Sequence, residues 1–360
     1  IFTSITSTDP LISFKSVLAK LWFIIPLLIF GTHFFRKHEN RIVFLWLFIV
    51  SCCLVVCFTL VHHSIYGFGE EEGHWVMWPF FKDHTIYGAT VALCLPISLA
   101  LLKQKGSPPL SKAILILLNV ILIVGLIFSY TRAAWLSILC ASVIGLLVYF
   151  RVNFRFLVGL GLAFALIIYS QWDTIQLALA KNTHEHTTEA FEEKIQSAAN
   201  VTTDASNLER INRWDCAVQM FKKRPITGFG PGTYAFEYAP FQDPENLTII
   251  STNFGDMGNA HSEYLGALSE TGLVGLLLFL SIVASIFVYA IRLYYQTPDQ
   301  ESDVKLLIMG IIISLSSYFI HAFLNNYLDT DKAAVPVWAM CAMIIAMSLP
   351  LANDQSIEQD

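Results

Sequence analysis

Four basic residues, Arg132, Arg210, Arg213 and His261, have types and spacings from which phosphate chemistry can be built. Arg210 and Arg213 are three residues apart, so a helix would bring them to one side and toward one partner. Guanidinium groups bind phosphate oxygens through paired N–H donors. An imidazole such as that of His261 can accept a proton from a hydroxyl near neutral pH. These residue types can therefore hold an anionic group and activate a hydroxyl nucleophile.

Each of these residues also has a structural explanation. Arg132 can mark a tight turn between two apolar runs and extend toward lipid headgroups, where an arginine costs less than at the bilayer centre. Arg210 and Arg213 can pair with acids of their own region, such as Glu209 or Asp215. A single histidine more often stabilises a fold than takes part in a reaction. At this point both explanations stand for every one of the four residues.

Two other clusters contain residue types that bind metals. Asp329 and Asp331 imitate an Asp-x-Asp motif, but they lie in a short connection between apolar runs. His184 and His186 flank a glutamate, and further ligands at zinc-site spacing do not stand nearby. The glycines of 228–232 lack the Gly-Lys-Ser/Thr ending of a phosphate-binding loop. We therefore expect no metal and no nucleotide cofactor.

The composition places these residues in a membrane protein. Of 360 residues 55% are hydrophobic and only 14% are charged, with a mean hydropathy of +0.58, whereas about a quarter of the residues of a soluble protein are charged. The net charge of -6 excludes a generally basic nucleic-acid binder. Six of the seven cysteines lie in apolar runs, which argues against a disulfide framework. The chain starts at Ile1, and we expect a fragment that begins after one or more missing spans.

Nine apolar runs are long enough to cross a bilayer. They lie at about 12–31, 42–62, 85–102, 113–130, 133–150, 154–170, 272–291, 304–324 and 333–350. The sequence thus predicts an all-α polytopic membrane protein with about nine transmembrane helices and one large polar loop.

The distribution of lysine and arginine predicts the orientation of these helices. One set of short connections carries ten such residues: Arg36, Lys37, Arg41, Lys103, Lys105, Lys112, Arg151, Arg155, Arg292 and Lys305. The opposite connections hold Lys82, Arg132 and Lys332, with Lys15 and Lys20 added if the N-terminal segment counts, so we expect the first set in the cytoplasm. The predicted division is helices 1–6 in 1–170, a periplasmic loop at 171–271, helices 7–9 in 272–350 and a cytoplasmic tail at 351–360.

The polar loop holds 14 acidic and 7 basic residues, a net of -7, so the rest of the chain sums to +1. An amphipathic helix is predicted at 207–224, opened by a capping box of Ser206 and Glu209 and stopped by Pro225. Its predicted buried stripe consists of Leu208, Ile211, Trp214, Ala217, Val218 and Phe221. A glycine-rich turn follows at 228–232. A second helix is expected to start at 259–261 and to continue unbroken into the seventh span.

Three patterns in this order, with a weaker fourth at 82–89, connect the candidate residues. They are Ser129-x-x-Arg132, then Arg210-x3-Trp214 followed by the turn at 228–232, then His261-Ser262-x9-Gly272-x2-Gly275. In order and spacing they resemble the O-antigen ligase and O-antigen polymerase superfamily of bacterial envelope proteins, over roughly residues 75–340.

The resemblance implies a membrane glycosyltransferase that takes a glycan from undecaprenyl diphosphate in the periplasm, without metal or other cofactor. It implies that His261 removes the proton of the acceptor hydroxyl and that Arg132, Arg210 and Arg213 bind the diphosphate. The acceptor would be lipid A-core or another glycan, the partner surface would be the lipid bilayer of the inner membrane, and nucleic acid would not bind. Transfer would invert the anomeric centre.

Three other functions remain open from the sequence. An O-antigen or exopolysaccharide polymerase, or a protein O-oligosaccharyltransferase, would keep the chemistry and change the acceptor. A small-anion transporter would place charged groups at the middle of the membrane. The eight apolar runs after the first hold no Asp, Glu, Lys or Arg at their centres. A metal-dependent oligosaccharyltransferase would use Asp329 and Asp331 as ligands.

Overall fold

The structure is a computed structural model, and it describes residues 2–105, 108–152, 170, 205–242 and 258–349. Within these ranges the secondary structure is helical, without strands. Nine long helices are numbered here in chain order: α1 Pro10–Phe34, α2 His38–Ser64, α3 His84–Leu102, α4 Pro109–Ile127, α5 Arg132–Tyr149, α6 Ala205–Lys223, α7 Glu263–Gln296, α8 Asp299–His321 and α9 Asp331–Ser348.

The prediction of a polytopic all-α membrane protein is confirmed. All of these helices except α6 are long and apolar enough to cross a membrane, which makes eight candidate spans within the described residues. They coincide with eight of the nine predicted runs. The remaining run at 154–170, the pair His184 and His186, and the tail at 351–360 lie outside the described residues.

The chain forms two compact units. One, called here the loop unit, consists of Ile1–Ser13 and Leu146–Leu276; the other, the bundle unit, consists of Phe14–Gly145 and Leu277–Asp360. In the bundle unit α3 is the most enclosed span, with 83% of its apolar window buried. Gly310 of α8 permits close packing, because a Cβ there would lie 2.7 Å from the Cβ of Ala100 in α3.

The loop unit has a core of its own around α6. The buried core residues are Cys216, Ala217, Met220, Phe229, Tyr234, Tyr238 and Ala260. The structure describes a helix at Ala205–Lys223, which overlaps the predicted helix at 207–224. Because Ser206 lies inside this helix, its expected capping position is wrong. Part of the predicted apolar stripe is also wrong, since Ile211 is exposed. The buried face includes Glu209 and Arg213 instead, because each compensates the charge of the other.

The expectation of an unbroken helix into the seventh span is also wrong. Helix α7 begins at Glu263 and is interrupted at Gly272, whose φ of 70° and ψ of -171° are not helical. That conformation is open to glycine and to almost no other residue. The break lies opposite the glycine-rich turn, which supplies the hydrogen bonds that the interrupted helix lacks.

Candidate functional site

The buried face of α6 holds an ion pair at its centre. The Nε atom of Arg213 donates to Oε1 of Glu209 at 2.6 Å, and both side chains are at most 6% exposed. The Tyr238 ring lies 4.1 Å below the Arg213 guanidinium in a cation–π contact. The hydroxyl of Tyr234 donates to the Arg213 carbonyl at 2.7 Å. Arg213 therefore has three partners: Glu209 for its charge, the Tyr238 ring for the face of its guanidinium, and Tyr234 for its backbone carbonyl.

A glycine closes the remaining side of this arginine. A Cβ atom at Gly258 would lie 1.5 Å from Nη1 of Arg213, so only glycine allows the chain to pass there. The structure thus agrees with the structural explanation of Arg213, in which this residue pairs with Glu209. Its contact with a diphosphate stays a prediction.

Arg210 and Trp214 lie one helical turn apart on α6, and both side chains are half-buried. Arg210 therefore differs from Arg213, which is 4% exposed. The indole Nε1–H of Trp214 donates to the backbone carbonyl of His261 at 3.3 Å. Through Trp214, the helix that carries Arg210 contacts the segment that carries His261.

His261 has a left-handed backbone with a φ of 45°, a conformation that is uncommon outside glycine. The backbone N–H of His261 donates to Oδ1 of Asn259 at 2.9 Å. The next residue, Ser262, is buried, and its Oγ accepts from the N–H of Leu265 at 3.4 Å, as an N-cap does. The sequence predicted the helix start at 259–261, whereas His261 precedes Ser262, the capping residue of α7. The side chain of His261 is half-buried.

Backbone hydrogen bonds connect the glycine-rich turn to the break in α7, and this connection is called the joint below. The N–H groups of Phe229 and Gly230 donate to the carbonyls of Ser269 and Glu270 at 3.1 and 2.7 Å. In return, the N–H of Leu273 donates to the carbonyl of Pro225 at 2.8 Å. These bonds use carbonyls at the end of one helical segment and an N–H at the start of the next, which a helix break would otherwise leave without partners.

Two glycines make this joint possible. A Cβ at Gly228 would lie 2.3 Å from the carbonyl carbon of Glu270, and a Cβ at Gly272 would lie 2.2 Å from the carbonyl oxygen of Ile226. Both residues also have positive φ. Oε1 of Glu270 additionally accepts from the N–H of Tyr234 at 3.2 Å, so the turn, the helix end and the core are connected.

Burial keeps two titratable groups of this core neutral. It raises the pKa of the Cys216 thiol to about 12, with a smaller contribution from the carboxylate of Asp215. Burial also raises the pKa of the Tyr234 hydroxyl above its ordinary value. Near neutral pH both side chains are therefore protonated.

In the bundle unit, Arg132 is the first residue of α5 and follows a tight turn from α4. Ser129 closes the turn, because its Oγ donates to the Leu126 carbonyl at 2.7 Å. Tyr130 has a φ of 48°, and its hydroxyl donates to the Phe68 carbonyl at 2.8 Å. The pattern Ser129-x-x-Arg132 therefore describes a sharply constrained helix–helix turn.

The Arg132 side chain is one-third exposed, and its Nη2 atom lies 3.9 Å from Oε1 of Glu70, which is 40% exposed. An ion pair at this distance on the protein surface adds little to stability. The first turn of a helix also presents backbone N–H groups that favour an anion. The position is consistent with an anion contact and with a headgroup contact, and the role of Arg132 stays a prediction.

The two aspartates that resemble a metal motif pair with lysines. Asp329 lies 3.3 Å from the Lys20 amine, and Asp331, the first residue of α9, lies 2.8 Å from that of Lys332. Across the described parts of the chain, no three His, Cys, Asp or Glu residues are close enough together to hold a metal ion.

Sequence patterns did not identify two parts of this arrangement. Tyr238 and Gly258 enclose Arg213, yet each is remote from it in sequence. Trp214 was noted as part of a pattern with Arg210, but its bond to His261 spans 47 residues. A tryptophan on a polar helix is a weak signal that its N–H has a specific partner.

Comparison with known proteins supports the resemblance found in the sequence. Residues 117–280 match the profile of the O-antigen ligase family. The matched segment contains Arg132, Arg210, Arg213 and His261, together with the joint between the glycine-rich turn and α7. No curated protein matches the chain.

Proposed function

Because residues 117–280 match the O-antigen ligase family, we propose that this membrane protein transfers a glycan from undecaprenyl diphosphate to an acceptor hydroxyl. The acceptor in this proposal is the lipid A-core, and the reaction takes place at the periplasmic face of the inner membrane. Such a chemistry needs a base for the hydroxyl and cations for the diphosphate. It needs no redox partner and no nucleotide.

The reaction is a direct displacement. His261 accepts the proton of the acceptor hydroxyl while that oxygen attacks the anomeric carbon of the glycan. The bond between this carbon and the diphosphate oxygen breaks, and the lipid diphosphate leaves with the bonding electron pair. The anomeric configuration is inverted, because the attack and the departure occur on opposite sides of the carbon.

The observation that carries the proposal is the bond between Trp214 and the His261 carbonyl. Arg210 lies one turn before Trp214 on the same helix, so a guanidinium and an imidazole are borne by two elements in direct contact. This is the arrangement expected where a proton is removed close to a leaving anion. Arg210 is half-buried, and a partly dry environment strengthens its attraction for phosphate.

The roles of the other two arginines follow from their surroundings. In this proposal Arg213 contributes mainly by holding α6 in place, since Glu209 compensates its charge and the Tyr238 ring covers the face of its guanidinium. Arg132 belongs to the bundle unit, where its place at the start of α5 suits an anionic lipid group. Its proposed contact with the donor diphosphate rests on that position and on the family pattern.

Transfer by the purified protein tests the proposal. The donor is a glycan on undecaprenyl diphosphate, the acceptor is lipid A-core, and the products are separated on gels. His261→Ala should lower kcat by about 10²- to 10⁴-fold, the range of general base catalysis, and Arg210→Ala should lower kcat/KM strongly. Lys222→Ala removes an exposed cation from the end of the same helix and serves as the control.

Three outcomes contradict parts of the proposal. Full activity of both His261→Ala and Arg210→Ala would refute the assigned roles. Activity lost with chelator and restored by a divalent cation would favour the metal-dependent alternative with Asp329 and Asp331. Extension of a lipid-linked glycan in place of transfer to lipid A-core would identify a polymerase.

A further inference from the structure

We infer that Trp214 and Asn259 are positioning residues that hold His261 in its reactive orientation. The inference rests on the proposed function, because it assigns these two side chains to the residue that accepts the proton. Neither residue is expected to touch the substrate. Both act on the backbone of His261, and each can be altered without changing its imidazole.

The first argument is the cost of the His261 conformation. A non-glycine residue in the left-handed region carries backbone strain, although histidine tolerates this region better than most residues. A strained conformation persists only when its surroundings enforce it. Here the φ of 45° occurs at the one histidine in the loop unit that the structure describes.

The second argument is that both backbone polar groups of His261 are bound by side chains. Asn259 accepts from its N–H at 2.9 Å, and Trp214 donates to its carbonyl at 3.3 Å. The first contact is a local turn closed by an asparagine side chain. The second comes from α6, 47 residues earlier in the chain, and so it fixes the turn relative to the helix that bears Arg210.

The third argument concerns the element that follows. Ser262 is buried and caps the first turn of α7, so the peptide on the far side of His261 is fixed as well. The freedom that remains to the histidine lies in its side-chain torsions. An error of about 1 Å in the position of a reacting group can cost about 100-fold in rate, so these contacts have a measurable kinetic effect.

The test uses two pairs of variants of the full chain, assayed for transfer from the lipid-linked donor. Trp214→Phe keeps an aromatic ring and removes the N–H donor. Asn259→Leu removes the acceptor, whereas Asn259→Asp keeps it. Trp22→Phe is the control for the aromatic substitution, because Trp22 is 76% exposed on the first span.

We expect Trp214→Phe and Asn259→Leu to lower kcat about 10- to 100-fold and to leave KM for the donor within about twofold. Asn259→Asp and Trp22→Phe should keep nearly full kcat. In a His261→Ala background, Trp214→Phe should cause no further loss, because the residue that it positions has been removed.

The results separate this inference from the proposed function. An inactive His261→Ala together with a fully active Trp214→Phe would overturn the positioning role and leave the proposed function intact. A fully active His261→Ala would overturn the proposed function itself. If Trp214→Phe does not fold, the Asn259 pair decides: equal activity of Asn259→Leu and Asn259→Asp would refute the inference.

Discussion

Arg213 in the loop unit and Arg132 in the bundle unit have the same side chain and opposite surroundings. Arg213 is buried, with Glu209 at 2.6 Å and the Tyr238 ring at 4.1 Å. Arg132 is one-third exposed, and its carboxylate neighbour Glu70 is 3.9 Å away. A buried guanidinium has exchanged its water for protein partners and cannot lose one of them cheaply. An exposed guanidinium keeps water that an anionic ligand can displace.

The difference shows how to separate structural arginines from those that remain candidates for ligand binding in a membrane protein. Charge and sequence pattern alone made Arg132, Arg210 and Arg213 equivalent as diphosphate contacts. Burial and the geometry of the ion pair rank Arg213 as the most structural of the three, ahead of the half-buried Arg132 and Arg210. The ranking makes predictions about stability that are independent of any activity assay.

The largest effect is expected when the buried pair is broken. Arg213→Ala leaves the buried Glu209 carboxylate without its guanidinium, which should cost about 3–5 kcal/mol. Hydrogen exchange of the amides of α6 reports the free energy of opening of this unit. Arg132→Ala should change the stability of the bundle unit by no more than about 1 kcal/mol, as read from exchange in α4 and α5. Similar losses in the two variants would remove the distinction between the arginines.

A smaller effect is expected at the joint between the turn and α7. Gly272→Ala forces a side chain into a conformation that only glycine adopts readily, against the Ile226 carbonyl, and should cost about 1–3 kcal/mol for the backbone alone. In the bundle unit Gly145→Ala should cost less, because a Cβ there meets the movable end of the Ile313 side chain.

The matched control for Gly272→Ala is Gly266→Ala, in the same helix α7. A Cβ at Gly266 meets nothing nearer than the Cβ of Ala260 at 3.8 Å, so Gly266→Ala should be neutral or stabilise α7 by up to about 1 kcal/mol. Thermal unfolding of the three purified variants measures the order of their effects. Equal destabilisation by Gly266→Ala and Gly272→Ala would show that the joint has no special conformational requirement.

The smallest effect concerns pH and the loop unit alone. The pKa of Cys216 is about 12 in the folded protein, against about 8.5 in an unfolded chain. Below pH 8.5 the thiol is protonated in both states and stability is retained. As the pH rises from there toward 12, the unfolded state loses the proton first, so stability falls. Tyr234, whose pKa is also raised by burial, acts in the same direction at higher pH.

Thermal unfolding between pH 7 and pH 10.5 checks this expectation. The wild-type protein should lose about 1 kcal/mol between pH 8.5 and pH 9.5, and Cys216→Ala should show a shallower dependence on pH. The comparison uses the slopes, because the substitution also removes buried volume. A dependence on pH that is the same in both proteins would contradict the buried thiol as its cause.

Local patterns in the sequence predicted much of this fold. Continuous apolar runs identified the eight described spans, and α6 was placed because Pro225 stops a helix for a local steric reason. The positive φ of Gly228, Gly230 and Gly232 agrees with the predicted turn. The pairing of Arg213 with Glu209 was an open alternative, since residues four apart on a helix are neighbours.

Contacts between distant segments were beyond such patterns. Gly272 stands in an apolar run that reads as continuous helix, and the break depends on Pro225 and Phe229, about forty residues earlier. The orientation of α6 also depends on remote residues, because Tyr238 and Gly258 make burial of Arg213 possible. His261 was singled out by its spacing from Gly272, whereas its fixed backbone depends on Trp214.

The backbone joint also sets an order for biosynthesis. The turn at 228–232 leaves the ribosome well before its partners, and it cannot bind the carbonyls of Ser269 and Glu270 until they too have been translated. Those partners lead directly into the apolar part of α7, so the joint closes at about the time when the translocon receives that helix. A newly made chain that stops short of this span therefore contains His261 but lacks the joint at the break in α7.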